Sequence, residues 1–173
     1  MIRQLGAHRG KRIVFGYDRY LLDERREYVD LLSRFGPVEE AVDERALHYL
    51  TSARAVCERV QGAADAVGVL CCGTGMGMSI AANKFRGIYA ARCVSAEDAE
   101  MARIINNANV LCLAASAGLA VNAQIIDAFM RTPFEGRKIE QLEHLCDFEL
   151  EARPAPLSDV RVPAVDDVLP KTA

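Results

Sequence analysis

Short apolar segments alternate with segments of helical periodicity along most of this chain of 173 residues. The apolar segments lie at 12–17, 38–42, 66–72, 87–93 and 109–115. The helical segments lie at 21–34, 45–60, 95–104, 119–131 and 137–151, and a further short one begins at about residue 79. Nearly continuous apolar strands are typical of parallel sheets covered on both faces, and successive parallel strands need a crossover, usually a helix. The pattern therefore predicts an α/β fold: one three-layer, Rossmann-like domain whose five-stranded parallel sheet carries helices on both faces.

The composition changes at both ends of this predicted domain. Residues 1–10 are basic and lack the apolar stretch of a secretion signal, so we expect a flexible, solvated leader there. Residues 152–173 contain prolines and no helical period. We expect them to form an extended tail, which is either disordered or draped over a partner subunit. The domain is thus predicted to span residues 11–151.

Charge and cysteine usage exclude several classes of protein. The net charge of −3 does not favour nucleic-acid binding, which usually needs a basic surface. No run of about 18 apolar residues is present, so we expect no membrane span. The six cysteines mostly lie in apolar segments and include no Cys-x-x-Cys pair, which argues against disulfides and a zinc site and favours the reducing cytoplasm.

The segment 69–84 carries the clearest chemical signal. Its apolar strand ends in Cys72, and glycines follow at 73, 75 and 77 before a helical stretch. Backbone N–H groups in such a loop favour an anion, whether phosphate or enolate, and the same positive end stabilises a thiolate. The glycine spacing matches neither the dinucleotide fingerprint nor the phosphate loop of nucleotide-binding proteins, and a tight turn that simply needs glycine is the alternative.

Other polar residues also follow predicted strands. Asp18 comes after the first strand and Ser95 after the fourth, where Ser95 is also placed to cap a helix. Ligands of open parallel sheets bind beyond the carboxyl ends of the strands. We therefore expect Asp18, Ser95 and the segment 72–77 to lie along one edge of the sheet.

Five motifs in order make the interpretation more specific. They read Cys-Gly-Thr-Gly-Met-Gly-Met-Ser-Ile-Ala-Ala-Asn-Lys from residue 72, Gly-Ile-x-Ala from 87, Met-Ala-Arg-x-x-Asn-x-Ala-Asn-Val-Leu-Cys-Leu from 101, Ile-Ile-Asp-Ala-Phe from 125 and Phe-Glu-Gly from 134. Over about residues 11–150 the chain resembles the type B ribose-5-phosphate isomerases and the related subunits of galactose-6-phosphate isomerase. The resemblance implies a homodimer or tetramer with active sites built from two subunits. It also implies interconversion of aldose and ketose phosphates through an enediolate, without metal or other cofactor.

The resemblance assigns roles to the glycine loop. The base in the resembling enzymes is the cysteine that matches Cys72, assisted by the residue that matches Thr74. Backbone amides around Gly73, Gly75 and Gly77 would hold the enediolate. This agrees with the chemistry, because moving a carbonyl along a sugar needs a base for the α-proton and donors for the oxyanion.

Two further polar residues match substrate contacts of the family. Asp18 matches an aspartate near the sugar hydroxyls, and Asn106 matches an asparagine that contacts the substrate. Each has a structural alternative, since Asp18 could merely cap the first helix and Asn106 could serve a turn. Cys71 is expected to face the opposite side of its strand from Cys72 and to belong to the core.

The chain departs from the family where the sugar ring is opened and the phosphate is held. Where the family has a histidine after the first strand, this chain has Arg19, and where it has a ring-opening histidine before the asparagine, this chain has Ile105. An arginine expected after the fifth strand is replaced by Ser116. A tyrosine aligns with Ala46, although His48 and Tyr49 are close by, and a late arginine aligns with Leu142. The remaining candidate phosphate ligands are Arg19, Arg137 and Lys138, for which a solvated basic surface is the alternative.

These residues predict an intramolecular oxidoreductase, a sugar-phosphate aldose–ketose isomerase whose substrate differs from ordinary ribose 5-phosphate. Isoleucine cannot exchange a proton, so the substrate would be open-chain or smaller, such as a tetrose phosphate. Two alternatives remain. The chain is one of two unlike subunits, or it is a non-catalytic protein that binds a sugar phosphate.

Overall fold

Five strands form one parallel sheet in the computed structural model, which describes residues 4–42, 47–145 and 147–148. The strands are β1 (Arg12–Tyr17), β2 (Val38–Glu40), β3 (Ala66–Cys72), β4 (Ala90–Arg92) and β5 (Val110–Ala114). Their order across the sheet is β2-β1-β3-β5-β4, and every pairing is parallel. All carboxyl ends of the strands therefore meet at one edge.

Helices cover both faces of this sheet. They are α1 (Arg25–Leu32), α2 (Tyr49–Val60), α3 (Met76–Ala82), α4 (Ala96–Asn106), α5 (Leu119–Arg131) and the short α6 (Ile139–Glu143). Buried residues of α1, α4 and α5 pack on one face, and those of α2 and α3 on the other. The predicted α/β class and the five-stranded sheet are confirmed. None of the described helices is long and apolar enough to cross a membrane.

Three elements begin or end away from their predicted positions, each because of a local hydrogen bond or turn. Residues Arg19–Leu21 form one turn of 3₁₀ helix under the Asp18 side chain, so α1 begins at Arg25. Gly75 has a left-handed φ of 73°, so the loop ends early and α3 begins at Met76. The approach to β4 is held instead by the side chains of Asn83 and Asn109, which shortens the strand to three residues.

Two more helices are shorter than predicted, since α2 begins at Tyr49 after the His48 cap and α6 ends at Glu143. The remaining predicted boundaries are close to the observed ones or lie outside the described residues. Strands β1 and β3 and helix α5 match their predicted ranges, and Ser95 caps α4 by accepting a hydrogen bond from the Asp98 amide. The predicted tail, 152–173, lies outside the described residues, as do 45–46 at the predicted start of the second helix.

The segment before β1 is packed onto the domain, so the prediction of a solvated leader is wrong for residues 4–10. Gly6 pairs with Phe134 through two backbone hydrogen bonds of 2.8 and 3.0 Å. His8 is 2% exposed, and its Nε2 lies 2.9 Å from the carbonyl oxygen of Ala108. The packing of residues 4–10 was not predicted, because the basic residues around His8 indicate a solvated segment when only charge is considered.

Arg103 holds this segment in place from the interior. Its side chain is 1% exposed and donates to the backbone oxygens of Gly6, Ala108 and Thr132 and to Oδ1 of Asn107. No carboxylate forms an ion pair with it in the described part of the chain. Burial lowers the pKa of Arg103 to about 10, so the guanidinium still carries its charge at neutral pH.

His8 makes stability depend on pH. Burial and the nearby Arg103 lower its pKa from 6.5 to about 3. Its Nδ1 has no hydrogen-bond partner, so a proton there would be buried without an acceptor. Because the unfolded chain takes up this proton first, the contribution of His8 is complete above pH 6.5 and is lost as the pH falls toward 3.

We expect the variant His8→Gln, which keeps an N–H donor and cannot titrate, to lose less stability on acidification. The difference between variant and wild type across that window should be on the order of a few kcal/mol. Urea unfolding of both proteins at a series of pH values measures it. Parallel stability curves for the two proteins would contradict the assignment.

Candidate active site

A pocket of about 600 Å³ lies at the carboxyl edge of the sheet, between the ends of β1 and β3. In the sheet, β2 lies on one side of β1 and β3 on the other, so the strand order reverses between β1 and β3, where the pocket lies. Ligands of open α/β sheets bind at such points. The lining residues are Asp18, Tyr20, Tyr49, Cys72, Gly73, Thr74, Gly77, Ala115 and Ser116.

Cys72 is the thiol of this pocket. As the last residue of β3 it faces the α2–α3 side of the sheet, while Cys71 faces the core on the other side, as predicted. Cys72 is 5% exposed, and its Sγ accepts a hydrogen bond from the Gly75 amide at 3.2 Å. An amide aimed at sulfur gives more stabilisation to a charged acceptor than to a neutral one.

The other described cysteines are interior thiols. Cys57, Cys71, Cys93 and Cys112 are buried and free of disulfides, and Cys146 lies outside the described residues. Burial raises the pKa of Cys57 and of Cys93 to about 12 and also raises the pKa values of Cys71 and Cys112. These four residues therefore remain protonated at neutral pH and are unsuited to act as bases.

The glycine loop is compact and partly engaged with itself. Of the amides expected to surround an anion, that of Gly75 donates to Cys72 and that of Met76 lies 3.4 Å from Oγ1 of Thr74. The amides of Gly73, Thr74 and Gly77 remain as candidate donors, since all three residues line the pocket. Fewer loop amides are therefore available to hold an anion than the sequence suggested.

Two tyrosine rings bracket this loop. A Cβ on Gly73 would lie 3.3 Å from Cδ2 of Tyr20, and one on Gly77 would lie 2.9 Å from Cε2 of Tyr49. A side chain at Gly77 would require the half-buried ring of Tyr49 to move, whereas one at Gly73 would require only a small shift of the exposed Tyr20 ring. Tyr49 was noted from the sequence only as a neighbour of Ala46, and Tyr20 was not singled out.

Asp18 both caps a helical turn and lines the pocket. Its Oδ1 accepts a hydrogen bond from the Tyr20 amide at 3.0 Å. Burial raises the pKa of this carboxyl, although the Tyr20 amide and the charges of Arg19 and His48 act in the opposite direction. Asp18 therefore serves as a helix cap, which was the structural alternative, and it lines the pocket as well.

Arg92 supports the loop from outside and was missed by the sequence reasoning. Its Nε donates to the carbonyl oxygen of Thr74 at 2.8 Å, and its Cγ lies 3.4 Å from the position of a Cβ on Gly75. An arginine at the end of a short strand gives no sequence signal of such a contact. The contact fixes the peptide between Thr74 and Gly75, whose N–H points to Cys72.

Several sequence-predicted residues lie away from Cys72. Asn106 ends α4 and is exposed near the amino edge of the sheet, and Arg137 and Lys138 are exposed beyond Phe134, which pairs with Gly6 at that edge. Within one chain, the structure does not bring these three residues to the pocket. Leu142 is buried against Phe134 and belongs to a small apolar cluster.

Gly75 offers a test of the loop geometry. Alanine there would adopt a left-handed backbone and its Cβ would lie 3.0 Å from the Leu113 oxygen. We expect Gly75→Ala to cost about 1–3 kcal/mol of stability and to lower turnover, because the amide at Cys72 shifts. Gly62→Ala is the matched control, since Gly62 has a φ of 76° with open space around it. Equal effects of both variants on turnover would contradict this reading of the loop.

No group of three or more His, Cys, Asp or Glu side chains is arranged to hold a metal ion among residues 4–42, 47–145 and 147–148.

Comparison with known proteins identifies the chain's relatives. The model of the Ribose/Galactose Isomerase family matches residues 13–145. The chain belongs to this family. A type B ribose 5-phosphate isomerase from Trypanosoma cruzi superposes with a TM-score of 0.77 at 31% identity, over 82% of this chain and 100% of that one. The ribose-5-phosphate isomerase B of Escherichia coli is 35% identical over 137 residues, which are 76% of this chain and 91% of the relative.

Relatives in the isomerase family carry different substrates in their names. The D-erythrulose-4-phosphate isomerase of Pectobacterium atrosepticum is 47% identical over 70 residues, 40% of this chain and 46% of the relative. The 4-deoxy-4-sulfo-D-erythrose isomerase of a Clostridium species is 38% identical over 93 residues, 53% of this chain and 58% of the relative. The matched segment spans 91% of the Escherichia coli isomerase but only 22% of the DNA damage-repair/toleration protein DRT102 of Arabidopsis thaliana, which is 49% identical over 69 residues. The predicted sugar-phosphate isomerase is thus confirmed at the level of the family.

Proposed function

We propose that this protein interconverts an aldose and a ketose phosphate through an enediolate, with Cys72 as the base. The observation that carries the proposal is the position of Cys72 Sγ in the pocket, 3.2 Å from the Gly75 amide and beside Gly73 and Gly77. Membership of the isomerase family supports the reaction type. The reducing cytoplasm is the proposed location, because it keeps the free thiols reduced.

The proposed chemistry moves one proton between neighbouring carbons. The Cys72 thiolate takes the proton from C2 of the aldose, and the electrons of that C–H bond form the enediolate while the carbonyl oxygen becomes negative. The amides of Gly73, Thr74 and Gly77 stabilise this oxygen, and the Thr74 hydroxyl assists proton transfer between the two oxygens. The thiol proton exchanges with solvent while the enediolate is bound, and delivery of a proton from the thiol to C1 gives the ketose and regenerates the thiolate.

A second copy of the chain would complete the site in this proposal. Asn106, Arg137 and Lys138 are exposed and lie away from the pocket of their own chain. If they contact the substrate, as the family resemblance implies, they do so at the pocket of a partner. The proposed assembly is therefore a homodimer or tetramer with shared sites.

The proposed substrate is an open-chain four-carbon sugar with an anion at C4. Esterification of the C4 oxygen removes the hydroxyl that would close a furanose ring, so such a substrate needs no ring-opening acid. This fits Ile105 at the position where a ring-opening histidine is expected. Two relatives named for four-carbon substrates with a phosphate or sulfonate at C4 support the choice.

A panel of tetrose, pentose and hexose phosphates tests the proposal. The wild-type chain is incubated with each, and aldose–ketose conversion is followed by NMR while binding is measured by calorimetry. We expect conversion of D-erythrulose 4-phosphate to exceed that of ribose 5-phosphate. Binding without conversion of any member would favour a non-catalytic sugar-phosphate-binding protein and would overturn the proposed enzyme.

A further inference from the structure

Tyr20 forms an exposed wall of the pocket beside the first glycine of the loop. The Asp18 side chain holds the Tyr20 amide, and the resulting helical turn buries Leu21 while it turns Tyr20 outward over Gly73. The Tyr20 side chain is 64% exposed. A ring this exposed contributes little to the core, so its contact with Gly73 and the pocket requires another explanation.

Arg19 lies on the same ring. Its guanidinium carbon is 5.2 Å from the centroid of Tyr20, and its Nη2 is 3.4 Å from the phenol oxygen. Arg19 forms no ion pair with a carboxylate in the described ranges of the chain. The ring thus holds a cation at the pocket rim, in an orientation that leaves the charge open to an incoming anion.

At the Gly77 end of the glycine loop, the neighbouring ring is more buried than Tyr20, and the nearby arginine is already engaged. There the half-buried ring of Tyr49 packs against Gly77. On the outer side of the loop, Arg92 is already bonded to the Thr74 carbonyl oxygen. Arg19 is therefore an exposed cation next to the pocket, held on the ring of the lining residue Tyr20.

We propose that Tyr20 sets the length of the sugar that the pocket accepts and that Arg19, held on the Tyr20 ring, binds the terminal anion. This inference rests on the proposed isomerase function and adds the residues that select its substrate. We expect a longer sugar to meet the Tyr20 ring, because this ring lines the pocket and contacts the loop at Gly73. A pocket that distinguishes one extra methylene discriminates by roughly tenfold or more.

The test compares D-erythrulose 4-phosphate with ribose 5-phosphate as substrates of the full-length chain. In Tyr20→Ala, we expect the ratio of the two kcat/KM values to shift toward ribose 5-phosphate by about tenfold or more. Tyr20→Phe keeps the ring and should keep the ratio near the wild-type value. Arg19→Met should raise KM with little change in kcat, and Arg19→Lys should recover part of the loss.

The outcomes separate this inference from the function on which it rests. If the wild-type chain converts a sugar phosphate and Tyr20→Ala leaves the ratio unchanged, the role of Tyr20 is overturned while the isomerase proposal stands. If Arg19→Met lowers kcat and leaves KM unchanged, the anion-binding role is overturned. If the wild-type chain converts none of the sugar phosphates, both proposals fall together. Circular dichroism and thermal melting of the variants check that the fold is intact.

Discussion

Cys72→Ala is expected to lower kcat by at least about a hundredfold while the fold persists, because the variant lacks the thiolate that we propose removes the α-proton. The pocket retains one carboxyl group, Asp18, but its Oδ1 is engaged by the Tyr20 amide. Cys72→Ser should be similarly impaired, since a hydroxyl of similar size is a far weaker base than a thiolate. Steady-state kinetics with D-erythrulose 4-phosphate and urea unfolding measure the two effects.

Cys71 provides the matched control for this experiment. It is the adjacent thiol, it is fully buried, and it faces the opposite side of β3. Cys71→Ala should cost about 1 kcal/mol or more of stability through the cavity it leaves, with turnover retained. A Cys72→Ala variant that keeps wild-type turnover would exclude Cys72 as the base, whatever the behaviour of Cys71→Ala.

Arg103→Met is expected to be the most destabilising of these substitutions, at about 3 kcal/mol or more. All four acceptors, three backbone oxygens and the Asn107 amide oxygen, lose the guanidinium as a donor, and the bonds to Asn107 and Ala108 are buried. The Gly6 oxygen keeps the Phe134 amide, and the Ala108 oxygen keeps Nε2 of His8. The packing of residues 4–10 depends on the same contacts. Hydrogen exchange at the Gly6 and His8 amides should therefore accelerate more than exchange within β3.

An exposed arginine serves as the control for Arg103. Arg54 forms an ion pair with Glu58 one helical turn away, and both side chains are 43% exposed. Arg54→Met should change stability by less than about 0.5 kcal/mol. If Arg103→Met is tolerated as well as Arg54→Met, and the amides of Gly6 and His8 stay protected, then Arg103 does not hold this segment.

Nearly continuous apolar segments that alternate with helical periodicity were sufficient to predict the α/β class and the parallel sheet. Strand β3 is buried at every position, and helix α5 ends at Arg131 in both prediction and structure. Because successive side chains of a strand point to opposite faces, Cys71 and Cys72 were also predicted to face opposite sides. These features depend on local sequence and burial, which is why one sequence is enough to find them.

Contacts between distant residues were not predictable in this way. Arg103 reaches Gly6 across 97 positions, and His8 reaches Ala108 across 100. In the sequence, both residues look like ordinary surface charge. The placement of Tyr20 against Gly73 likewise depends on the sheet order, which brings the ends of β1 and β3 together.

The family resemblance located the glycine loop but did not predict which of its amides bond to Cys72 and which face the pocket. Gly75 directs its amide to Cys72, and this leaves fewer amides for the enediolate than the spacing of glycines suggested. Asn106, Arg137 and Lys138 match substrate-side positions of the family yet lie far from the pocket within one chain. Such residues can be assigned from sequence only together with the assembly that brings two chains to one site.

Incorporation of solvent deuterium tests the central claim most directly. D-erythrulose 4-phosphate is incubated with the wild-type chain in D₂O, and the label in substrate and product is read by NMR. Proton transfer through an enediolate at Cys72 predicts deuterium at the carbons that exchange the proton, and no label with Cys72→Ala. Labelling or conversion by Cys72→Ala at the wild-type rate would contradict the account.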